Sequence, residues 1–277
     1  MPPTPSQADR PAARGEPLSG FDWLLTLPSA LLLAFMVVPL VELIRSAPPA
    51  ELWAEAVNAE NWQVIANSVT LGAVAAVSAT VLGVPLAYLL ARREFRGKRL
   101  VEAVVQLPVA LPHVIIGLAL LVLLGPRAVV GAFLADTFGI EFLDTRLGVI
   151  TAMMYVSIPY IVTNSRAGFE AVPDRLEKTA RSLGASSAAV FFEITLPLAR
   201  KRILDGISLT WGRSISELGA IMILAYQPPT VAVYVWEVYK APDGLTRVRT
   251  VGALALAVYL LVFLGFRLLT MRKGAGK

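Results

Sequence analysis

The chain has 277 residues, of which 56% are hydrophobic and 16% charged; its mean hydropathy is +0.65 and its formal net charge +5. A soluble domain carries about 25% charged residues, and here long uncharged runs alternate with short charge-dense stretches, the pattern of a helical protein that crosses the membrane several times. The absence of cysteine excludes a disulfide framework and thiolate chemistry, and a single histidine, His113, excludes a multi-histidine metal cluster.

Residues 1–20, rich in Pro, Ala and charge, predict a disordered tail. The first apolar run begins near Phe21 and has no small-residue cleavage site after a short hydrophobic core, so it reads as a retained span and not as a removed signal peptide. Uncharged runs follow at Trp23–Val41, Asn61–Ala91, Ala103–Pro126, Leu147–Ser165 and Thr250–Phe266. About 20 apolar residues cross some 30 Å of hydrocarbon, so each of these can span or nearly span. The second is too long for an upright span and must tilt or project into water.

A further run, Gly206–Tyr226, contains Arg213 and Glu217, four apart and able to pair across one helix face. Unpaired, either would cost at least ~2.5–3.5 kcal/mol in mid-bilayer. Counting it gives an all-α, polytopic transmembrane bundle of about six spans, near 22–44, 62–91, 101–124, 146–165, 204–226 and 250–270, inside a membrane domain covering 21–272. With the N-terminus inside, eighteen Lys and Arg lie in cytoplasmic segments against six outside, which sets both termini in the cytoplasm. The excess positive charge then belongs to cytoplasmic loops and not to nucleic-acid binding.

Ala75, Ala79, Gly83 and Ala87 recur every four residues and predict a ridge for close helix contact. Pro85, Pro108, Pro112 and Pro159 predict kinks that neighbouring helices satisfy. Polar residues within the apolar runs are the candidates for a passage: Asn67, Ser68 and Thr70, then Arg213, Ser214, Ser216 and Glu217. A passing dianion wants hydroxyls, backbone N–H groups and a cation, but each of these residues reads first as a packing residue, and Arg213 with Glu217 as a structural pair. His113, which the sequence sets near a membrane interface, reads as a hydrogen-bonded structural histidine before a proton relay.

The loop Arg166–Arg202 is too apolar for a solvated linker and too charged for a span. It predicts two short helices. Asp174 caps the first, with Glu177 three residues on in a capping-box spacing. Leu176, Thr179, Ala180 and Leu183 share one face, and Arg175, Lys178 and Arg181 another. Gly184 falls where a left-handed C-cap belongs. Ser186 or Ser187 starts the second helix, which buries Phe191, Phe192 and Ile194 until Pro197 breaks it. Periodicity leaves two uses open: a helix docked in a groove of another protein, or a hairpin lying on the bilayer surface.

The stretch EKTARSLGASSAAVFFEITLP (Glu177–Pro197) resembles the EAA loop of binding-protein-dependent ABC permeases. That pattern is Glu-Ala-Ala, three residues, Gly, nine residues, Ile, one residue, Leu-Pro. Ala180, Gly184, Ile194, Leu196 and Pro197 fall at the family spacing, while Lys178 stands in place of Glu and Thr179 in place of Ala. Two softer similarities, Leu107–Leu123 and Arg213–Leu256, resemble molybdate, tungstate and sulfate permeases, the second most of all the archaeal-type molybdate/tungstate permeases.

The resemblance implies an ABC importer permease of the MetI-like type. Its coupling segment would comprise Leu176, Glu177, Lys178, Thr179, Ala180, Arg181, Leu183, Gly184, Ile194, Leu196 and Pro197, seated in a cleft of an ABC ATPase present in two copies. It further implies a homodimer in the cell membrane, an extracytoplasmic oxyanion-binding protein that does the selecting, and ATP and Mg2+ bound on the ATPase alone. The sequence holds no Gly-x-x-x-x-Gly-Lys-Ser/Thr segment and no paired nucleophile and base, which agrees with a translocation subunit that is not itself an enzyme. Sulfate or thiosulfate permeases are the alternative within the class. An ion-coupled secondary transporter is the alternative outside it, for which Glu217 would be the one clear acid.

Overall fold

A computed structural model describes residues 20–242 and 244–272. The expected tail lies outside these residues except for Gly20, as do Arg10, Arg14, Lys273 and Lys277. The described chain is helical and falls into two units, one ending at Ala47 and the other starting at Pro48.

The first unit is helix α1, Gly20–Arg45, which keeps Pro28 and Pro39 inside it and ends on an Arg45–Glu42 ion pair of 2.9 Å. The second unit holds α2 (Pro49–Ala56), α3 (Ala59–Arg92), α4 (Lys98–Ala110), α5 (His113–Leu124), α6 (Val129–Phe138) and α7 (Arg146–Glu170). They are followed by α8 (Asp174–Ser182), α9 (Ser187–Ala189), a π-helical segment Val190–Thr195, α10 (Leu196–Ile215), α11 (Ile221–Leu224), α12 (Val231–Lys240) and α13 (Gly244–Arg272). Four described helices are long and apolar enough to cross a membrane: α1, α3, α7 and α13. The bent pair α4–α5 makes a fifth if counted as one span.

Local chemistry explains the boundaries. Asn58 caps α3 by accepting the Glu60 N–H, and Thr145 caps α7 by accepting the Gly148 N–H. The third run is not one straight span, because its two helices meet at 114°. Pro112 is the cause: it has no N–H to donate and it drives Leu111 into an extended conformation (φ −93°, ψ 143°).

The run expected at 204–226 is also divided. Helix α10 begins at Leu196 and stops at Ile215. Its first half carries Arg200, Lys201, Arg202 and Asp205, so its length would cross a membrane but its composition falls short of the other spans. It stops because the Glu217 carboxylate accepts the Ala220 N–H (2.7 Å) and starts a new turn in place of the old one.

Three helices build the centre. The small ridge Ala75, Ala79, Gly83 and Ala87 on α3 is buried. A Cβ on Gly83 would sit 2.9 Å from a methyl carbon of Ile161 on α7, so the two backbones approach as closely as the ridge predicts. Beside it, Gly206 of α10 lies against Asn164 of α7 at a spacing that a Cβ would close to 2.9 Å. One apolar cluster joins α3, α5, α7 and α11 through Leu71, Ile116, Met153, Ile221 and Leu224. A second joins α3, α7 and α10 through Leu90, Ile161, Phe169 and Ile203. A third, with Ile65, Tyr234, Val238 and Val251, ties α3 to α12 and α13.

A terminal knob and a buried polar cluster

Two places gather the residues singled out by the sequence. The first is the knob formed by α8, α9 and the π segment, at the end of the bundle where α3 finishes and α7 turns back. Asp174 is not the cap of α8 but its first residue; Pro173 holds the cap position and makes no side-chain cap bond. Asp174 instead accepts from Arg92 Nη1 at 2.9 Å. Glu177 makes no capping box either. It is 3% exposed, taking Arg92 Nε at 2.9 Å and the Thr195 hydroxyl at 3.0 Å on one oxygen, and Arg181 Nη2 at 3.0 Å on the other. A carboxylate buried at this depth must be paired to be tolerated, and Arg92 supplies the partner.

Turning Glu177 inward sets the rest of α8. Ala180, a helical step further on, is half-buried, and Leu176, Lys178, Thr179, Arg181 and Leu183 are exposed, Leu183 at 83%. Of the face expected to be apolar, Leu176, Thr179 and Leu183 therefore point outward and Ala180 partly inward, with basic side chains beside them. Gly184 takes φ +91° after the helix, where a side chain would be strained. Ser186 starts the next turn by accepting the Ala189 N–H at 3.2 Å.

Pro197 does not break that second helix. The turn before it widens to π, with the Leu196 N–H reaching back five residues to Phe191 O, and helix continues as α10. The wide turn accommodates a proline that cannot donate. Phe191 packs edge-on against Tyr88 of α3 (4.8 Å between ring centres), and Tyr88 in turn against Phe169 of α7. Ile194 and Leu196 are half-buried, Pro197 is exposed, and Phe192, expected inside, is 65% exposed. Val190 and Thr195 take the buried positions because the π turn shifts which side chains face the bundle.

The second place lies where both helix breaks meet. Gly219, in the stretch after α10, packs on His113 at the start of α5 closely enough that a Cβ would be 2.9 Å from the histidine Cβ. Arg213 and Glu217 do pair, at 2.7 Å, although Glu217 stands beyond the end of the helix. The His113 Nδ1 lies 3.1 Å from the same carboxylate oxygen, and Arg213 Nη2 is in turn 2.7 Å from that nitrogen. His113 thus belongs to a polar cluster with Arg213 and Glu217, with its own side chain 34% exposed. Glu217 is 0% exposed, and both its oxygens are engaged. Irregular backbone of this kind is tolerated inside a membrane protein only where protein or a wet cavity covers it.

The remaining polar candidates are occupied within the fold. Ser214 donates to Ser157 at 3.0 Å, Ser216 accepts from Arg213 Nη1 at 3.2 Å, and Ser68 accepts the Val231 N–H at 2.7 Å. Asn67 donates to Pro229 O at 3.1 Å, and the exposed Thr70 hydroxyl returns to Ala66 O at 2.6 Å. Sequence reasoning missed Arg92, which it counted only as a loop charge, and Thr195, because nothing local distinguishes either residue from its neighbours. It also missed an ion pair between Arg247 of α13 and Glu55 of α2, 3.2 Å. Among the described residues no group of acids and histidine is placed to hold a metal ion.

Residues 79–271 match the family described as the binding-protein-dependent transport system inner membrane component. The chain belongs to this family. It is a multi-pass membrane protein and a transport component. It is 37% identical over 259 residues to the molybdate/tungstate transport system permease protein of Thermococcus kodakarensis, covering 92% of this chain and 99% of that one. It is 39% identical to the protein of the same description from Pyrococcus abyssi, covering 74% of this chain and 77% of that one. The molybdenum transport system permease protein of Escherichia coli is 33% identical over 73% of this chain and 90% of its own. Among solved structures, a bacterial ABC transporter involved in the import of the acidic polysaccharide alginate superposes with a TM-score of 0.74 at 20% identity, over 93% of this chain and 97% of that one. A methionine ABC transporter in an inward-facing conformation superposes at 0.62 and 15% identity, over 76% and 94%. These are likenesses of fold, which is all-helical and of the MetI-like type.

Proposed function

We propose that this chain is the translocating subunit of an ATP-driven importer for a tetrahedral oxyanion, molybdate or tungstate, and that a separate ATPase drives it through the loop 166–202. The observation that carries the docking part is the outward face of α8. Leu176, Thr179 and Leu183 are presented to the outside with Arg175, Lys178 and Arg181 around them, on a helix anchored from behind. An apolar stripe on a helix that projects from the bundle end suits a groove in a partner. Relatives named for molybdate and tungstate support the cargo, since two archaeal ones are 37–39% identical to this chain.

On this reading ATP and Mg2+ sit on the partner, and two copies of the chain form the passage with the knobs on the cytoplasmic side, together with both termini. The membrane domain runs over 21–272, after a tail of 1–20. A binding protein outside the membrane delivers the anion. Each nucleotide state of the partner favours one of two packings of the bundle, so the passage opens to alternate sides by population shift. Ion coupling through Glu217 fits less well, because both of its oxygens are already held.

The chain has no cysteine, so single cysteines report cleanly. In vesicles holding the chain, its ATPase and its binding protein, Thr179→Cys is expected to crosslink to the ATPase, and ATP is expected to drive uptake of tungstate or molybdate in preference to sulfate. Absence of that crosslink in transporting vesicles would remove the docking role. Uptake of sulfate alone would reassign the cargo.

A further inference from the structure

Arg92 is the last residue of α3, the longest helix of the chain, and it does more than neutralise one acid. Its side chain is 11% exposed. It donates to the Glu177 carboxylate (2.9 Å), to Asp174 (2.9 Å) and to the backbone carbonyl of Val172 (2.8 Å). Val172 lies in the short link between α7 and α8, while Asp174 and Glu177 lie on α8 itself. Through the Glu177 oxygen that it holds, Arg92 also reaches Thr195 at the end of the π segment. One guanidinium therefore ties the end of α3 to the link before α8, to α8 itself and, through Glu177, to the end of the π segment.

We propose that Arg92 is the joint through which movement of the knob passes into α3, a positioning residue for coupling. The inference rests on the docking reading above. The knob also meets α3 through Phe191, whose ring packs on Tyr88. Such contacts resist separation but are only weakly directional, whereas hydrogen bonds fix angle as well as distance. A planar arginine fork that meets several acceptors holds both, and does so better than a lysine. Burial keeps the contact with Glu177 from being screened by salt or shared with water, while Asp174 is exposed. No other described residue of α3 has a side-chain hydrogen bond to the knob. A knob pushed by a docked partner would therefore turn the end of α3 through this side chain.

The consequence is specific. Without Arg92 the outward face of α8 still exists, so the ATPase still docks, but its stroke reaches the bundle incompletely. The test uses the complete importer, with chain, ATPase and binding protein in proteoliposomes, and reads anion taken up per ATP hydrolysed. Arg92→Gln is expected to lower that ratio at least tenfold in complexes that still hold the ATPase. Arg92→Lys, which keeps the charge but not the fork, is expected to fall between. Glu177→Gln is expected to behave as Arg92→Gln does, and the double variant to be no worse than either single, because both cut the same connection.

Uptake and hydrolysis falling in equal proportion, an unchanged ratio, or loss of the ATPase from both Arg92 variants would each overturn the joint. Leu183→Asp separates this from failure of the docking reading. If docking is correct, that variant loses the ATPase while Arg92→Gln keeps it. If Leu183→Asp keeps the ATPase, the docking reading itself falls.

Discussion

Among the described residues two glutamates are buried, and arginine holds each, but the two settings differ. Glu217 sits deep in the bundle beside Gly219 and His113, and its arginine is four residues away in the same stretch. Glu177 sits at the end of the bundle, and its principal arginine is Arg92, 85 residues earlier. Gly72 of α3 packs on Ile215, next to the first site, and Arg92 ends the same helix. At 1.5 Å per residue the two sites are roughly 30 Å apart along α3. The first is a closed local loop that fixes where two broken helices meet. The second is a long-range clasp between separate elements. A buried acid with a local partner stiffens one place, whereas an acid with a distant partner joins two places.

The comparison is broken most directly at Glu217. Glu217→Ala leaves Arg213, half-buried, facing only Ser216 and the His113 ring, and frees the Ala220 N–H. Removing one member of a buried ion pair costs about 3–5 kcal/mol, and the stranded N–H adds to it. The variant is expected to melt well below the parent in detergent and to accumulate poorly in membranes. An unchanged melting temperature would show that the local loop does not hold the breaks together. The contrast with Glu177 is that its loss is expected to affect coupling before it affects accumulation.

A smaller effect separates the knob's shape from its clasp. Gly184 has φ +91° and no heavy atom near the place of a Cβ, so backbone strain and not crowding decides what a side chain does there. Gly184→Val is expected to destabilise the end of α8 by about 1–2 kcal/mol and to lower uptake while the rest of the bundle keeps its melting temperature. Gly184→Asn, which tolerates that region better, is expected to recover most of the uptake. Equal activity of Val and Asn variants would mean that the turn after α8 contributes nothing to seating the knob.

How much of this was legible beforehand follows from the same contrast. The pairing of Arg213 with Glu217 was visible because four residues is one helical step, and the prediction survives even though the helix ends between them. The small ridge on α3 was visible for the same reason, since periodicity is local information. The EAA-like spacing exposed the loop through motif resemblance. The role of Glu177 within it was not legible, because a capping box and a buried ion pair ask for the same residue, and only the position of Arg92 decides between them. Pro112 advertised a kink, and the structure turns it into a 114° bend. The size of that bend depends on what the second half packs against, which no local pattern encodes. The orientation of α8 has the same origin. Its apolar and basic faces were legible from spacing, but that Glu177 is the residue turned inward is set by a distant arginine.

The smallest effect on the fold is expected where the effect on partnership is largest. Leu183 is 83% exposed and touches little of its own chain. Leu183 caps α8 through its backbone N–H only, and replacing so exposed a side chain changes stability by about 0.5 kcal/mol or less, so Leu183→Asp is expected to leave melting unchanged. It puts a carboxylate at the C-terminal end of a face that carries Leu176 and Thr179. Such a charge, desolvated without a partner in an apolar cleft, is costly enough to prevent seating. An intact bundle that no longer retains its ATPase is the expected result. It would separate the outward face of the knob, which chooses the partner, from the inward clasp, which Leu183 does not touch. Were the same variant to melt early while still holding the ATPase, Leu183 would have to be a packing residue of the bundle, and the division between the two faces of α8 would be lost.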